Sequence, residues 1–172
     1  MFHLRTMTSA DLSAGYRLSV AAGWNQLPAD WQRTLDLQPD GCFVAELDDQ
    51  VVGTTCLTRF GPIAWISMVL VNSDQRRQGI GTALMQHALD WADHQGVVSV
   101  RLDATPLGQT LYEKLGFQAD FTLARYWGTP TPTGAESTVP IRGVTVEDWR
   151  ELIALDPQIT ATERGKLLRR LF

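Results

Sequence analysis

Two adjacent arginines stand just ahead of a glycine-x-glycine turn in the run Arg76-Arg77-Gln78-Gly79-Ile80-Gly81. From Gly79 onward the apolar spacing is that of a helix, with Ile80, Leu84, Ala88 and Trp91 on one face. The first turn of a helix carries free N–H groups and a partial positive charge, and glycine lets a ligand approach the backbone closely. The two arginines add full charges beside those donors. The combination suits a pyrophosphate held mainly by backbone N–H groups, although a glycine turn at a helix start is also an ordinary structural device. Two other phosphate patterns fit poorly. A P-loop needs Gly-Lys-Ser/Thr, and here Gly81 is followed by Thr82 and Ala83. A dinucleotide fingerprint needs glycine or alanine where Leu84 stands. It also needs its first glycine tight against the strand, whereas seven residues separate Val71 from Gly79.

The elements that must position this run are legible on both sides of it. A short strand over 2–6 leads to a helix capped by Thr8 or Ser9 and running towards Ala22; Gly23-Trp24-Asn25-Gln26 interrupts, and a second helix spans 28–37. Strands over 42–47 and 51–59 form an antiparallel hairpin around Asp48-Asp49-Gln50. Ala64 to Val71 is nearly continuous apolar sequence, as expected of a strand buried on both faces. The polar loop 72–78 and the helix from Gly79 to Gln95-Gly96 follow. A strand over 97–102 comes next, then a short helix opened by Thr105-Pro106 and capped by Gly116, and a last strand over 121–127.

The glycine run resembles the Arg/Gln-x-x-Gly-x-Gly/Ala signature of the GNAT superfamily of N-acetyltransferases. The stretch WISMVLVNSD looks like that family's fourth strand and its exit, and LYEKLGF at 111–117 looks like its closing motif. The resemblance covers residues 1–127 and implies an α/β (α+β) fold, the GNAT-like acyl-CoA N-acyltransferase fold with a mixed central sheet flanked by helices. It implies acetyl-CoA as co-substrate and an amine, on a small molecule or a peptide, as acceptor. By the same resemblance the backbone of Val69, Leu70 and Val71 holds the pantetheine arm. Arg76, Arg77, Gln78, Gly79, Ile80, Gly81 and Thr82 surround the pyrophosphate. Tyr112 stands where many members keep the general acid that protonates the departing thiolate. A phenol of pKa about 10 keeps its proton at neutral pH and so can donate it. As a bare sequence feature, Tyr112 could equally be a packing tyrosine.

Two departures matter. Many members place an asparagine before the last helix to bind the cofactor arm; here the position is Thr105. The fourth strand has no acidic residue, which leaves Asp103 as the first carboxylate candidate for the general base and Glu46 as the second, with Ser67 the strand's only polar side chain. Asp103 also reads as a hydrogen-bonded turn residue. Trp24 and Asn25, with Ser67, are the expected acceptor-side residues. A non-catalytic acetyl-CoA binding or sensing module, with the loop but without a base, is the alternative reading.

Composition agrees with one ordinary globular domain. The chain has 172 residues, of which 44% are hydrophobic and 20% charged. A net charge of −4 argues against a nucleic-acid binder. No apolar run approaches the ~18 residues of a membrane span, and no signal peptide is read at the N-terminus. Cys42 and Cys56 lack metal-ligand spacing, so no metal is expected, and two reduced thiols fit a cytoplasmic location. The expected organisation is an N-acetyltransferase domain over 1–127, a Gly/Pro/Ser/Thr-rich linker over 128–140 and two amphipathic helices, 144–155 and 160–172, in a segment 141–172. With Gly23-Trp24-Asn25-Gln26 after the first helix and Leu102-Asp103-Ala104-Thr105-Pro106-Leu107-Gly108 before the tyrosine, the sequence resembles two-lobed members of the superfamily, so that segment reads as the start of a second lobe. The apolar face of Leu167, Leu168 and Leu171 needs cover, either from the first domain or from a second copy in a homodimer.

Overall fold

The computed structural model describes residues 1–126, 128, 129, 131 and 139–171. Five strands lie in sequence order: β1 (His3–Thr6), β2 (Cys42–Leu47), β3 (Gln50–Phe60), β4 (Ile63–Val71) and β5 (Ser99–Arg101). The first four pair antiparallel. β5 runs parallel to β4, which requires a crossover, and α3 (Ile80–His94) supplies it. The sheet is therefore mixed, as the resemblance implies.

Helices cover both faces. Side chains alternate across β2, so Cys42 and Val44 join Leu18 of α1 (Leu12–Ala21) and Trp31 and Leu35 of α2 (Pro28–Leu37). Phe43 and Ala45 point the other way, towards Ile80, Leu84, Met85 and Ala88 of α3 and Tyr112 of α4 (Pro106–Lys114). Coverage on both faces explains why β4 reads as continuous apolar sequence. The close seating of α3 depends on Gly53 in β3, where a Cβ would lie 2.9 Å from Leu84 Cδ1 and 3.1 Å from Ile80 Cγ2. That contact fixes the start of α3 against the sheet. No helix among the described residues is long and apolar enough to cross a membrane.

Four expected elements differ. The strand over 97–102 shortens to Ser99–Arg101, because the N–H of Val97 is taken by Ala92 and that of Val98 by Pro62. The strand expected over 121–127 is absent over 121–126, and Trp127 lies outside the described residues. A strand needs a ladder partner, and short β5 offers little edge; Phe121 and Tyr126 are left 76% and 92% exposed. In the tail the helices are α5 (Trp149–Thr160) and α6 (Gly165–Leu171). α5 starts late because residues 146–148 form a 3-10 turn ahead of it, closed by Asp148 accepting from the N–H of Thr145 while Arg142 grips its carboxylate, and α5 runs through Pro157 rather than stopping before it. Of the expected linker, 130 and 132–138 lie outside the described residues.

The tail lies back on α2 and the end of β3. Lys166 Nζ donates to the carbonyl of Leu37 (3.2 Å) and to Gln38 Oε1 (3.0 Å) and sits 5.2 Å from the centre of the Phe60 ring, while Arg170 pairs with Asp36 at 2.8 Å. These contacts fall at the α2 terminus and the β3–β4 turn, before the start of β4.

Candidate functional site

β4 carries an irregularity at its centre. Thr54 of β3 pairs with Leu70 and Cys56 pairs with Ser67, so Thr55 alone opposes both Met68 and Val69. Such a bulge bends a strand and increases its twist. Met68 takes up the extra residue at φ 53°, and Thr54 Oγ1 donates to its carbonyl at 2.7 Å. β4 and β5 part just before this point. Their pairing covers only Ile63–Ser99, Ala64–Val100 and Trp65–Arg101. From Ile66 to Val71 no described strand lies along that side of β4, and a cleft opens between the two strands.

Backbone alternation decides which groups face the cleft. The N–H of Asn72 bonds to the Val52 carbonyl at 2.8 Å, so Asn72 and, two residues earlier, Leu70 turn towards β3. Val69 and Val71 therefore turn their peptide groups away from β3, and Arg76 Nε donates to the Val71 carbonyl at 3.3 Å. Of the three backbone positions singled out in sequence, Leu70 is spent on the sheet, while the Val71 carbonyl faces away from it and accepts from Arg76.

The loop after β4 delivers the start of α3 to the mouth of this cleft. Arg77 (φ 61°) and Gly79 (φ 82°) are both left-handed, a conformation that glycine adopts without penalty and arginine does not. Gly79 is the N-cap of α3 and supplies no side-chain acceptor, so the N–H groups of Ile80, Gly81 and Thr82 have no side-chain cap. A Cβ on Gly81 would meet only Leu111 and Val71, at 3.5 and 3.6 Å. Arg76, Arg77, Gln78 and Thr82 are exposed around these donors. Open N–H groups, a helix dipole and two guanidinium groups make a fit for a pyrophosphate anion.

α4 stands on the same face of the sheet as α3. Thr105 is its N-cap, its Oγ1 accepting from the N–H of Gly108 at 3.3 Å. That lone pair is engaged by the helix, which leaves the hydroxyl proton for other partners. Tyr112 is 9% exposed in the cluster formed with α3, and its ring meets Phe117 edge to face at 6.0 Å. Its hydroxyl makes no hydrogen bond among the described residues, and burial holds the phenol above its ordinary pKa.

The remaining candidates are more dispersed. Ser67 stands opposite Cys56 and is exposed. Trp24 packs on the α1–α2 cluster, which includes Met68, and so shares that side of the sheet; Asn25 is exposed. No hydrogen bond joins Ser67 to either. Asp103 is exposed between β5 and α4. Glu46 is held by Arg5 and His3 at the far side of the sheet, which removes it from the cleft. Two features escaped sequence reasoning: the bulge at Met68, and Gly108, whose only sequence signal is a glycine inside a helical pattern.

The model of the Acetyltransferase (GNAT) family matches residues 9–117, and the chain belongs to that family. It is 24% identical over 156 residues to the uncharacterized N-acetyltransferase YitH of Bacillus subtilis, a match covering 90% of this chain and 55% of the relative. Over 74 residues it is 32% identical to the [ribosomal protein bS18]-alanine N-acetyltransferase of Escherichia coli, covering 41% of this chain and 49% of that one. The chain thus spans about half the length of these curated relatives. A crystal structure of a putative acetyltransferase from Pyrococcus horikoshii superposes with a TM-score of 0.77 at 23% identity, over 98% of this chain and 60% of that one, which is a likeness of fold.

Proposed function

We propose that this chain carries an acetyltransferase site that moves the acetyl group of acetyl-CoA to an amine by direct attack. The observation that carries the reading is the open stretch of β4 beyond the Met68 bulge, which leads directly to the uncapped N–H groups of α3. Val69 and Val71 offer peptide groups to the pantetheine arm, and Ile80, Gly81 and Thr82 offer N–H groups to the pyrophosphate, with Arg76 and Arg77 supplying charge.

The amine lone pair attacks the thioester carbonyl carbon, and the tetrahedral intermediate collapses with cleavage of the C–S bond. Tyr112 gives its proton to the departing thiolate and is reprotonated from solvent. Burial keeps that phenol protonated across the neutral range, as an acid requires. The proton shed by the amine passes to water or to exposed Asp103. Ser67, Trp24 and Asn25 border the acceptor side, opposite α3 across the sheet.

The test is thiol release from acetyl-CoA by the wild type and by Tyr112→Phe, with acceptors that include a peptide bearing an N-terminal alanine and a polyamine. The proposal expects turnover to fall about 10²–10⁴-fold with cofactor affinity retained. An unchanged rate removes Tyr112 from the mechanism. Binding of acetyl-CoA without turnover on any amine leaves a binding module instead.

A further inference from the structure

We infer that Gly108 is a positioning residue: it leaves empty the space into which the phenol end of Tyr112 folds, and so sets where the hydroxyl stands. The inference rests on the reading of Tyr112 as the proton donor, but the geometry is independent of it. Gly108 lies in the first turn of α4, its N–H bonded to the carbonyl and hydroxyl of Thr105 at 2.9 and 3.3 Å. Glycine within a helix costs about 1 kcal/mol relative to alanine. Local stability therefore argues for alanine at this place, and Tyr112 supplies the reason against it. In a helix the side chain at i+4 leans back over residue i. Here a Cβ on Gly108 would lie 2.8 Å from Tyr112 Cε2, 3.1 Å from Cζ and 3.2 Å from the hydroxyl oxygen. Those three atoms are the reactive end of the ring.

The response to a methyl group at 108 follows from what is free to move. Thr105 and Pro106 hold the backbone of the first turn, and the N–H of Phe117 closes the far end of α4 on the Tyr112 carbonyl at 3.1 Å. The Tyr112 ring is a side-chain terminus with no hydrogen bond to anchor it, so the ring yields and the helix stays. Displacement of a proton donor by a fraction of an ångström to an ångström costs up to about 10²-fold in rate. Gly108→Ala should then remain folded, bind acetyl-CoA unchanged and turn over about tenfold or more slowly.

The experiment uses Gly108→Ala, Tyr112→Phe and the double variant. In protein labelled with ¹³C at tyrosine Cζ, the Tyr112 resonance is the one missing from Tyr112→Phe. The inference expects it to shift in Gly108→Ala and its titration to move down towards the usual value of about 10 as the ring leaves its buried seat. An unmoved resonance overturns it. Thiol release from acetyl-CoA with the alanyl peptide should give a lower kcat and an unchanged acetyl-CoA KM for Gly108→Ala, and a double variant no slower than Tyr112→Phe. A double variant clearly slower than Tyr112→Phe shows that Gly108 acts by another route and overturns the inference. A wild-type rate for Tyr112→Phe would instead sink the acid role of Tyr112, while the resonance still decides whether Gly108 places the ring.

Discussion

The side chain of Arg76 reaches back along the glycine loop and donates from Nε to the carbonyl of Val71 at 3.3 Å. That carbonyl belongs to the last residue of β4 and faces away from β3, on the side where β5 has departed. The same acceptor is the one a pantetheine amide would use. Arg76 therefore ties the loop to the strand, and on the proposed acetyl-CoA reading it turns outward when the anion and the amide arrive together.

Arg76→Ala should weaken acetyl-CoA about tenfold, since a charge-assisted hydrogen bond contributes about 1.5–3 kcal/mol and this exposed one lies at or below the bottom of that range. Stability should barely change, because the side chain is exposed. Calorimetric titration of the variant with acetyl-CoA, beside a denaturant melt of the free protein, separates the two effects. Equal affinity would remove Arg76 from the anion site.

The two glycines of the loop should respond differently. Gly79 sits at φ 82°, where a side chain costs about 1–2 kcal/mol, so Gly79→Ala should lower the denaturation midpoint. Gly81 has ordinary φ, and a Cβ there meets only Leu111 and Val71 at ordinary contact distance. Gly81→Val should leave the fold near wild type and weaken acetyl-CoA by filling the approach to the N–H groups. The same melts and titrations read both, and a Gly81→Val protein that binds normally would place the anion elsewhere.

Acid should loosen the other end of the sheet. Arg5 clamps Asp11 through two bonds of 2.8 Å, Thr8 adds two more, and the Asp11 carboxyl is held down to about 2. A carboxyl depressed in the folded state contributes stability above its unfolded pKa of about 3.9, and that contribution is lost as pH falls from there towards 2. The Asp11 carboxylate is largely shielded from solvent, and its contribution is about 2 kcal/mol. Asp11→Asn should melt lower at pH 7 and show a flatter stability profile between pH 2 and 4. An unaltered profile would assign the acid sensitivity to other carboxylates.

The tail should be separable from the site. Lys166 and Arg170 dock α6 on α2 and Phe60, at the end of the sheet where β3 turns into β4. The double change Lys166→Ala/Arg170→Ala should raise amide exchange in α6 and leave acetyl-CoA affinity as it was. Loss of affinity in that variant would mean that the tail supports the cleft.

Much of this architecture was legible because its signals are local. Pro28 and Leu37 bound α2 as read, Cys42 and Leu47 bound β2, and the change from strand to helix spacing marked Gly79. The bulge was not legible. Met68 carries no sequence mark of a left-handed backbone; its conformation is imposed by one residue, Thr55, facing two across the ladder. The turn of Leu70 towards β3 is a consequence of the same register. The sequence 121–126 has strand propensity, but propensity gives way where no partner edge is at hand. Gly108 could have been found, since a glycine four residues before the tyrosine proposed as the acid asks what occupies its empty side.

On the proposed function, the cleft between β4 and β5, with the start of α3, is a working acetyl-CoA site. The most direct test is the melting temperature with and without acetyl-CoA, with NAD as control. Ligand at about 100 times its dissociation constant should add about 2.7 kcal/mol, a rise of several degrees for a domain of this size, and NAD should add nothing. No rise with acetyl-CoA, or an equal rise with NAD, would contradict the assignment of the cleft.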